Sequence, residues 1–388
     1  MPEDRRDAPP LYIGLMSGTS LDGVDGVLVS FEESKGRVPV SVRAHAHRPF
    51  PPLLRDELLA LNQRGANELH RAALAGNALA RLYADVVEAL LDSADTEHAV
   101  VRAIGAHGQT VRHRPREFDG TGYTLQLNAP ALLAERCGID VVADFRTRDV
   151  AAGGTGAPLV PAFHRAVFGR SDGTVAVLNL GGIANITVLH PDGRTLGFDC
   201  GPTNALMDHW SRRHTGKPFD EGGAWAAHGR VDRTLLASFL AEPFFALGPP
   251  KSTGRDLFHG DWLEGRLQGR QGPPVAAQDV QATLAELTAQ ICARDALRHA
   301  AGLRELLVCG GGALNRHLMG RLAHLLPGVG VRPTDDRGLP ATQVEACAFA
   351  WLAGAFVDRR AGNLTAVTGA AGPRVLGALY PAGVEGKT

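Results

Sequence analysis

Tyr12-Ile13-Gly14-Leu15-Met16-Ser17-Gly18-Thr19-Ser20-Leu21-Asp22-Gly23-Val24-Asp25-Gly26, running on into Val27-Leu28-Val29, decides how the rest of the chain is read. An apolar run enters a loop of small residues, hydroxyls and two carboxylates, and a second apolar run leaves it, so the stretch predicts a hairpin with a wide polar tip. Such a tip suits a phosphate: Gly18 and Gly23 let backbone N–H groups approach an anion, Thr19 and Ser20 add donors, and Asp22 or Asp25 can hold a metal ion against the phosphate charge. An ordinary hairpin turn accounts for the same residues, because Ser-Gly and Asp-Gly are common in turns for conformational reasons alone.

Halfway along, Val175-Ala176-Val177-Leu178-Asn179-Leu180-Gly181-Gly182-Ile183-Ala184-Asn185-Ile186-Thr187-Val188-Leu189 repeats the pattern of strand, small-residue turn and strand. A repeat on this scale predicts two related α/β halves with a ligand cleft between them. Farther on, the strand Leu303 to Cys309 enters Gly310-Gly311-Gly312-Ala313-Leu314-Asn315, with a helix from Arg316 to Leu326. Strand, triple glycine and helix is an arrangement that lets a nucleotide lie against backbone at a helix N-terminus, and a tight strand-to-helix turn is the plainer alternative.

Between these landmarks, Pro51 to Ser93 has the apolar spacing of one or two amphipathic helices. The strand Val100 to Ile104 delivers a polar loop, Gly105-Ala106-His107-Gly108-Gln109-Thr110, and the helix Ala129 to Cys137 and strand Ile139 to Val142 lead to Asp144-Phe145-Arg146-Thr147-Arg148-Asp149. Gly153-Gly154-Thr155-Gly156-Ala157-Pro158 is the expected crossing between domains. Strand Thr195 to Phe198 ends at Asp199, and a helix is expected to start with Pro202 near its first position. Further helices are expected over Arg233 to Phe245, Asp279 to Ala300 and Gln343 to Arg360, the last with Glu345 at its entry end, where negative charge suits a helix N-terminus.

Composition narrows the functional classes. The 388 residues are 44% hydrophobic, enough for two domains, and 40 basic residues against 41 acidic ones leave no excess charge to attract nucleic acid or anionic lipid. The charged opening, Met1 to Asp7, lacks the apolar core of a signal peptide, and the run Ala346 to Val357 falls short of the ~20 residues of a membrane span, so a cytoplasmic protein is expected. The five cysteines are scattered and form no Cys-x-x-Cys pair, which argues for buried thiols instead of a disulfide or zinc framework.

The two hairpins, the triple glycine and the carboxylates between them resemble the actin-like ATPase superfamily. That resemblance implies two ribonuclease-H-like α/β domains, with mixed sheets flanked by helices and an ATP cleft between them, here 1–144 with 366–388 and 145–365. Gly14 to Gly23, Ala106-His107-Gly108-Gln109-Thr110, Asp144-Phe145-Arg146 with Asp149, Gly153 to Leu159, Gly197-Phe198-Asp199-Cys200-Gly201-Pro202, Pro250-Lys251-Ser252-Thr253-Gly254-Arg255 and Asp279 to Leu284 together resemble the anhydro-N-acetylmuramic acid kinases. The resemblance implies ATP and Mg2+ as cofactors, an amino-sugar substrate opened and phosphorylated in cell-wall recycling, and a homodimer. It implies Asp199 as general base. It also implies nucleotide contacts from Gly18, Thr19, Ser20, Leu21, Asp22, Gly23, Val24 and Asp25, from Gly181 and Gly182, and from Gly310, Gly311 and Gly312. Arg148 and Asp149 are implied on the sugar side, joined by His107, Gln109 and Glu345; a loop-stabilising imidazole bonded to backbone is the other reading of His107. No metal ligands are assigned. Thr155, Thr203 and Asn128 depart from the family pattern, and a β-branched Thr203 is expected to disturb the Asp199 loop if that position needs positive φ. A plain N-acetylhexosamine kinase and a non-catalytic nucleotide switch are the competing readings.

Overall fold

The computed structural model describes residues 9–32, 38–254 and 257–383. Thirteen strands are assigned among them: β1 (Leu11–Met16), β2 (Gly23–Phe31), β3 (Val40–Pro49), β4 (Val101–Ala106), β5 (Gln109–Pro115), β6 (Gly122–Leu127), β7 (Val141–Ala143), β8 (Thr174–Leu180), β9 (Ile183–Leu189), β10 (Thr195–Pro202), β11 (Leu303–Cys309), β12 (Gly330–Pro333) and β13 (Ala378–Tyr380). They build two compact units, Met1–Val167 with Gln343–Thr388, and Phe168–Thr342.

In the first unit, the strand order is β13-β7-β4-β1-β2-β3. β1, β2 and β3 pair antiparallel, whereas β4 and β7 run parallel to β1. Alternation along β1 sends Ile13 and Leu15 into a core shared with Leu79, Tyr83, Val86 and Leu90 of the helix Glu68–Ser93, and turns Gly14 to the other face. There the helix Val344–Val357, apolar on every side and therefore buried, lies directly on the sheet. Its approach requires glycine beneath it: a Cβ at Gly14 would sit 1.9 Å from the Ala346 carbonyl oxygen, and one at Gly105 would sit 2.0 Å from that of Phe349.

The second unit has the order β10-β9-β8-β11-β12, with β8, β9 and β10 antiparallel and β11 and β12 parallel to β8. This is the order and direction of β3-β2-β1-β4-β7, so the repeat legible in the sequence is a repeat of the fold. The turn Gly181–Gly182 corresponds in topology to the loop Ser17–Asp22. The helix Ala277–His299 packs its alanine-rich length into the core of this unit, beside Phe198, Trp210 and Phe239.

Some expectations are corrected. Gly153–Pro158 does not join the units; Thr155 N–H donates to Thr368 O and Gly156 N–H to Asp149, which tie the tract into the first unit, and the chain passes from one unit to the other at Val167–Phe168 and Thr342–Gln343. The helix from Gln343 onward therefore belongs to the first unit, because it covers β1 and β4. Pro202 closes β10 opposite Ile183, and the helix starts two residues later, as Asn204–Thr215. The helix expected over Arg233 to Phe245 stops at Leu240, and a separate turn, Pro243–Ala246, follows it. Arg255 of the Pro250–Arg255 motif lies outside the described residues.

Candidate active site

In the first unit, the loop after β1 is held from beneath. Tyr83 O–H donates to Ser17 Oγ (2.9 Å), Ser17 O–H donates to Gly108 O (3.1 Å), and Gly108 N–H returns to Tyr83 Oη (3.1 Å), closing a buried ring of hydrogen bonds. Arg146 donates to His107 Nε2 (2.9 and 3.2 Å), so the imidazole proton sits on Nδ1 and points to Ser17 O (3.3 Å). Burial, with the Arg146 charge beside it, pushes His107 down to about 3, and the ring is neutral at physiological pH. His107 is thus the backbone-bonded imidazole of the second reading. Gln109 donates from Nε2 to Gly18 O (3.1 Å), so it too shapes the loop, and its buried Oε1 has no partner among the described residues.

The eight residues from Gly18 to Asp25 expected on the nucleotide side differ in what they present. Gly18 is open on its Cβ side, with Ser20 Oγ nearest at 3.5 Å, and Thr19, Ser20 and Asp22 are exposed, Ser20 O–H donating to Asp22 Oδ1 (2.8 Å). Leu21 takes φ +57° with its side chain buried, and Val24 is fully buried. Gly23 serves strand pairing, since a Cβ there would meet Arg48 O at 2.3 Å. Asp25 Oδ1 is occupied by His45 Nε2 (3.3 Å) and His47 Nδ1 (3.1 Å).

On the sugar-side positions, Arg148 is exposed on the short helix Thr147–Ala151, and Glu345 is half-buried in the first turn of Val344–Val357. Asp149, next to Arg148, is fully buried; Oδ1 accepts from Asn363 Nδ2 (2.7 Å) and Thr368 Oγ1 (2.8 Å), and Oδ2 from Gly156 N–H (2.8 Å). In place of the sugar contact expected of it, Asp149 pins the glycine tract. Arg146 was not singled out from the sequence, though the Asp-Phe-Arg motif contained it. It joins His107 to Gly156 O (2.8 Å), and burial lowers its guanidinium to about 10 against the opposing charges of Glu345 and Asp149.

In the second unit three loops converge. Gly310 takes φ +79° against the end of β8, where a Cβ would meet Asn179 Oδ1 at 2.3 Å; Gly312 packs on Leu180; a Cβ at Gly311 would meet only Asn204 Nδ2, at 3.8 Å. Gly181 and Gly182 have nothing within 3.5 Å of a built Cβ, and their carbonyls accept from Asn204 N–H (3.2 Å) and Thr203 N–H (3.1 Å). Thr203 Oγ1 also donates to Gly181 O, and Asn204 Nδ2 to Leu180 O (3.0 Å). The β-branched Thr203 does not take positive φ: its φ is −132°, and the positive φ falls on Gly201, at +146°.

Asp199 stands at the bulge that breaks the β9–β10 pairing between Asp199 and Gly201. Its N–H donates to Lys251 O (3.1 Å), and its Oδ2 accepts from Ser252 O–H (2.8 Å) and Thr253 N–H (2.9 Å). Oδ1 accepts from no group among the described residues. Burial raises the Asp199 carboxyl above the ordinary aspartate value, with Thr253, Ser252 and the Lys251 charge opposing, which strengthens the ionised form as a base. Ser252 and Thr253 were visible only as part of a motif, since nothing in a linear sequence tells which carboxylate a loop 53 residues away will hold. Among the described residues, no group of three His, Cys, Asp or Glu side chains could hold a metal ion.

The family description "Anhydro-N-acetylmuramic acid kinase" matches residues 10–382. A protein of that name from Variovorax paradoxus is 62% identical over 380 residues, covering 97% of this chain and 100% of its own length. Namesakes from Albidiferax ferrireducens and Cupriavidus pinatubonensis are 59% and 60% identical, covering 96% and 95% of this chain and 99% and 98% of theirs. Among solved structures, the (R)-2-hydroxyglutaryl-CoA dehydratase component A from Acidaminococcus fermentans is 11% identical, covers 88% of this chain and 96% of its own, and has a TM-score of 0.46. Identity near 60% over almost the whole chain, together with the family match over residues 10–382, means that this chain belongs to the anhydro-N-acetylmuramic acid kinase family.

Proposed function

We propose that the protein uses ATP and water to convert 1,6-anhydro-N-acetylmuramic acid into N-acetylmuramic acid 6-phosphate and ADP, as a step in recycling cell-wall fragments. The observation that carries this reading is the Asp199 carboxylate, with one oxygen fixed by two donors and the other without a protein partner among the described residues. Oδ1 takes a proton from water as the water oxygen bonds to the anomeric carbon. The bond from that carbon to the 6-oxygen breaks, and the freed 6-oxygen bonds to the γ-phosphorus as ADP leaves. Transfer of this kind needs mostly positioning and charge neutralisation.

Backbone amides of Gly18 to Asp22 and of Gly181 and Gly182 are assigned to the phosphates, and Gly310 to Gly312 to the adenosine side. Arg148 and Glu345 are assigned to the sugar, with His107, Gln109 and Asp149 holding the loops behind them. Mg2+ fits as an ion brought by the nucleotide, since Mg2+ is commonly bound through one or two carboxylates plus phosphate oxygens and Asp22 is the exposed carboxylate of the loop. When bound it would neutralise phosphate charge. A homodimer in the cytoplasm completes the reading, and sedimentation velocity tests the dimer; no described helix is long and apolar enough to cross a membrane.

The deciding experiment supplies anhydro sugar, ATP and Mg2+ and follows ADP and the ring-opened phosphosugar. Equal amounts of both support the proposal, with Asp199→Asn abolishing them while nucleotide binding persists. Turnover of N-acetylglucosamine with the anhydro sugar untouched would instead favour a plain hexosamine kinase.

A further inference from the structure

The base does not hold itself in place. Its donors sit on consecutive residues of one segment, Lys251 to Thr253, which also receives the Asp199 N–H on Lys251 O. The Lys251 side chain turns away from the carboxylate into the core. Its ammonium lies 5.6 Å from the centre of the Phe198 ring and 5.1 Å from that of Phe244, and meets Asp295 Oδ2 at 3.0 Å, both side chains being 1% exposed. Asp295 lies in the last turns of Ala277–His299. We infer that the buried Lys251–Asp295 pair is a positioning device for the reaction, anchoring the Lys251–Thr253 segment so that Ser252 and Thr253 aim Asp199 at the attacking water.

The inference rests on Asp199 being the base, and goes beyond it by assigning two residues that touch neither sugar nor nucleotide. A buried pair of this kind is weak evidence for stability, because apolar residues of similar size commonly replace one without loss; its value lies in fixing one arrangement. Lys251 also bears on Asp199 electrostatically, since its charge favours the carboxylate form. The other charged or titratable groups around the pair are Arg294, 3.9 Å from Asp295 Oδ1, the His299 imidazole, and the thiols of Cys200 and Cys292.

The test replaces the pair together, as Lys251→Met with Asp295→Leu, so that no lone charge is left in the core; single Lys251→Met and Asp295→Asn variants accompany it, and thermal melting confirms folding. The expected result for the double variant is a fall in kcat of about tenfold or more, an acid limb of the kcat profile displaced to higher pH, and KM for ATP within about twofold of the parent. A folded double variant with the parent's kcat and pH profile overturns the positioning role. Asp199→Asn is measured beside it: turnover retained there overturns the base assignment itself, whereas turnover lost there with an unaltered double variant removes only the pair's part.

Discussion

Ser252→Ala isolates how Asp199 is tuned. The lost donor is one O–H at 2.8 Å from Oδ2, while Thr253 N–H at 2.9 Å remains. A hydrogen bond to a charged group contributes about 1.5–3 kcal/mol. Ser252 is exposed and water takes over part of that role, so roughly half, about 0.7–1.4 kcal/mol, is left as preference for the ionised over the protonated carboxyl. The base must be ionised to act, and removing a donor that favours ionisation raises the pKa further above the ordinary value. The acid limb of kcat therefore moves to higher pH, and on that limb the variant runs about three- to tenfold slower than the parent, converging with it on the alkaline plateau. Steady-state rates across pH, with sugar and ATP saturating, provide the measurement. An acid limb identical to the parent's, or a loss of equal size at every pH, would refute the claim that Ser252 works through the ionisation of Asp199.

The remaining expectations concern the frame. Asp149→Ala leaves the Gly156, Asn363 and Thr368 donors unpaired in a buried site and should cost about 3–5 kcal/mol by chemical denaturation, against less than about 0.5 kcal/mol for exposed Arg148→Ala. Gly310→Ala puts a methyl 2.3 Å from Asn179 Oδ1 at φ +79° and should destabilise by about 2–4 kcal/mol, whereas Gly311→Ala, with its nearest neighbour at 3.8 Å, should fold normally and weaken nucleotide binding in calorimetry. His107 and His164 are lowered to about 3 and His113 to about 4, chiefly by burial, so the unfolded chain binds protons first as pH falls below about 6.5. Stability should be complete above that pH and decline toward pH 4, by roughly 3–6 kcal/mol between pH 7 and 5; equal denaturation midpoints at the two pH values would contradict the buried neutral state.

Much of the architecture was legible because it is written locally. Leu303–Cys309 ends in the apolar run Leu306–Cys309 and is closed by glycine at both ends, and the structure keeps those bounds; the two glycine hairpins announce themselves by composition, and their equivalence emerges from the repeated pattern of strand, small-residue turn and strand. Features decided by distant partners were not legible. Asp149 is implied on the sugar side beside Arg148, yet Asn363 and Thr368, more than 200 residues away, close over it. Gly153–Pro158 has the composition of a linker, yet Thr368 O fastens it. The concern over Thr203 assumed that positive φ falls at that position, whereas the bulge at Asp199–Gly201 had already shifted it to the preceding glycine. Arg146 and Ser252 lay inside recognised motifs, but a motif names neighbours in sequence and leaves the direction of each side chain open.

The bare backbone of Gly14 and Gly105 has a consequence for how the first unit can respond to a ligand. A helix whose carbonyls rest against two strands without an intervening methyl has no lubricating layer, so it cannot roll or slip over them; a single added carbon at Gly14 would have to lift it by about 1.5 Å to reach ordinary van der Waals separation. Glu345 at the head of that helix and the Ser17–Gly18 bend at the end of β1 therefore belong to two elements in direct backbone contact.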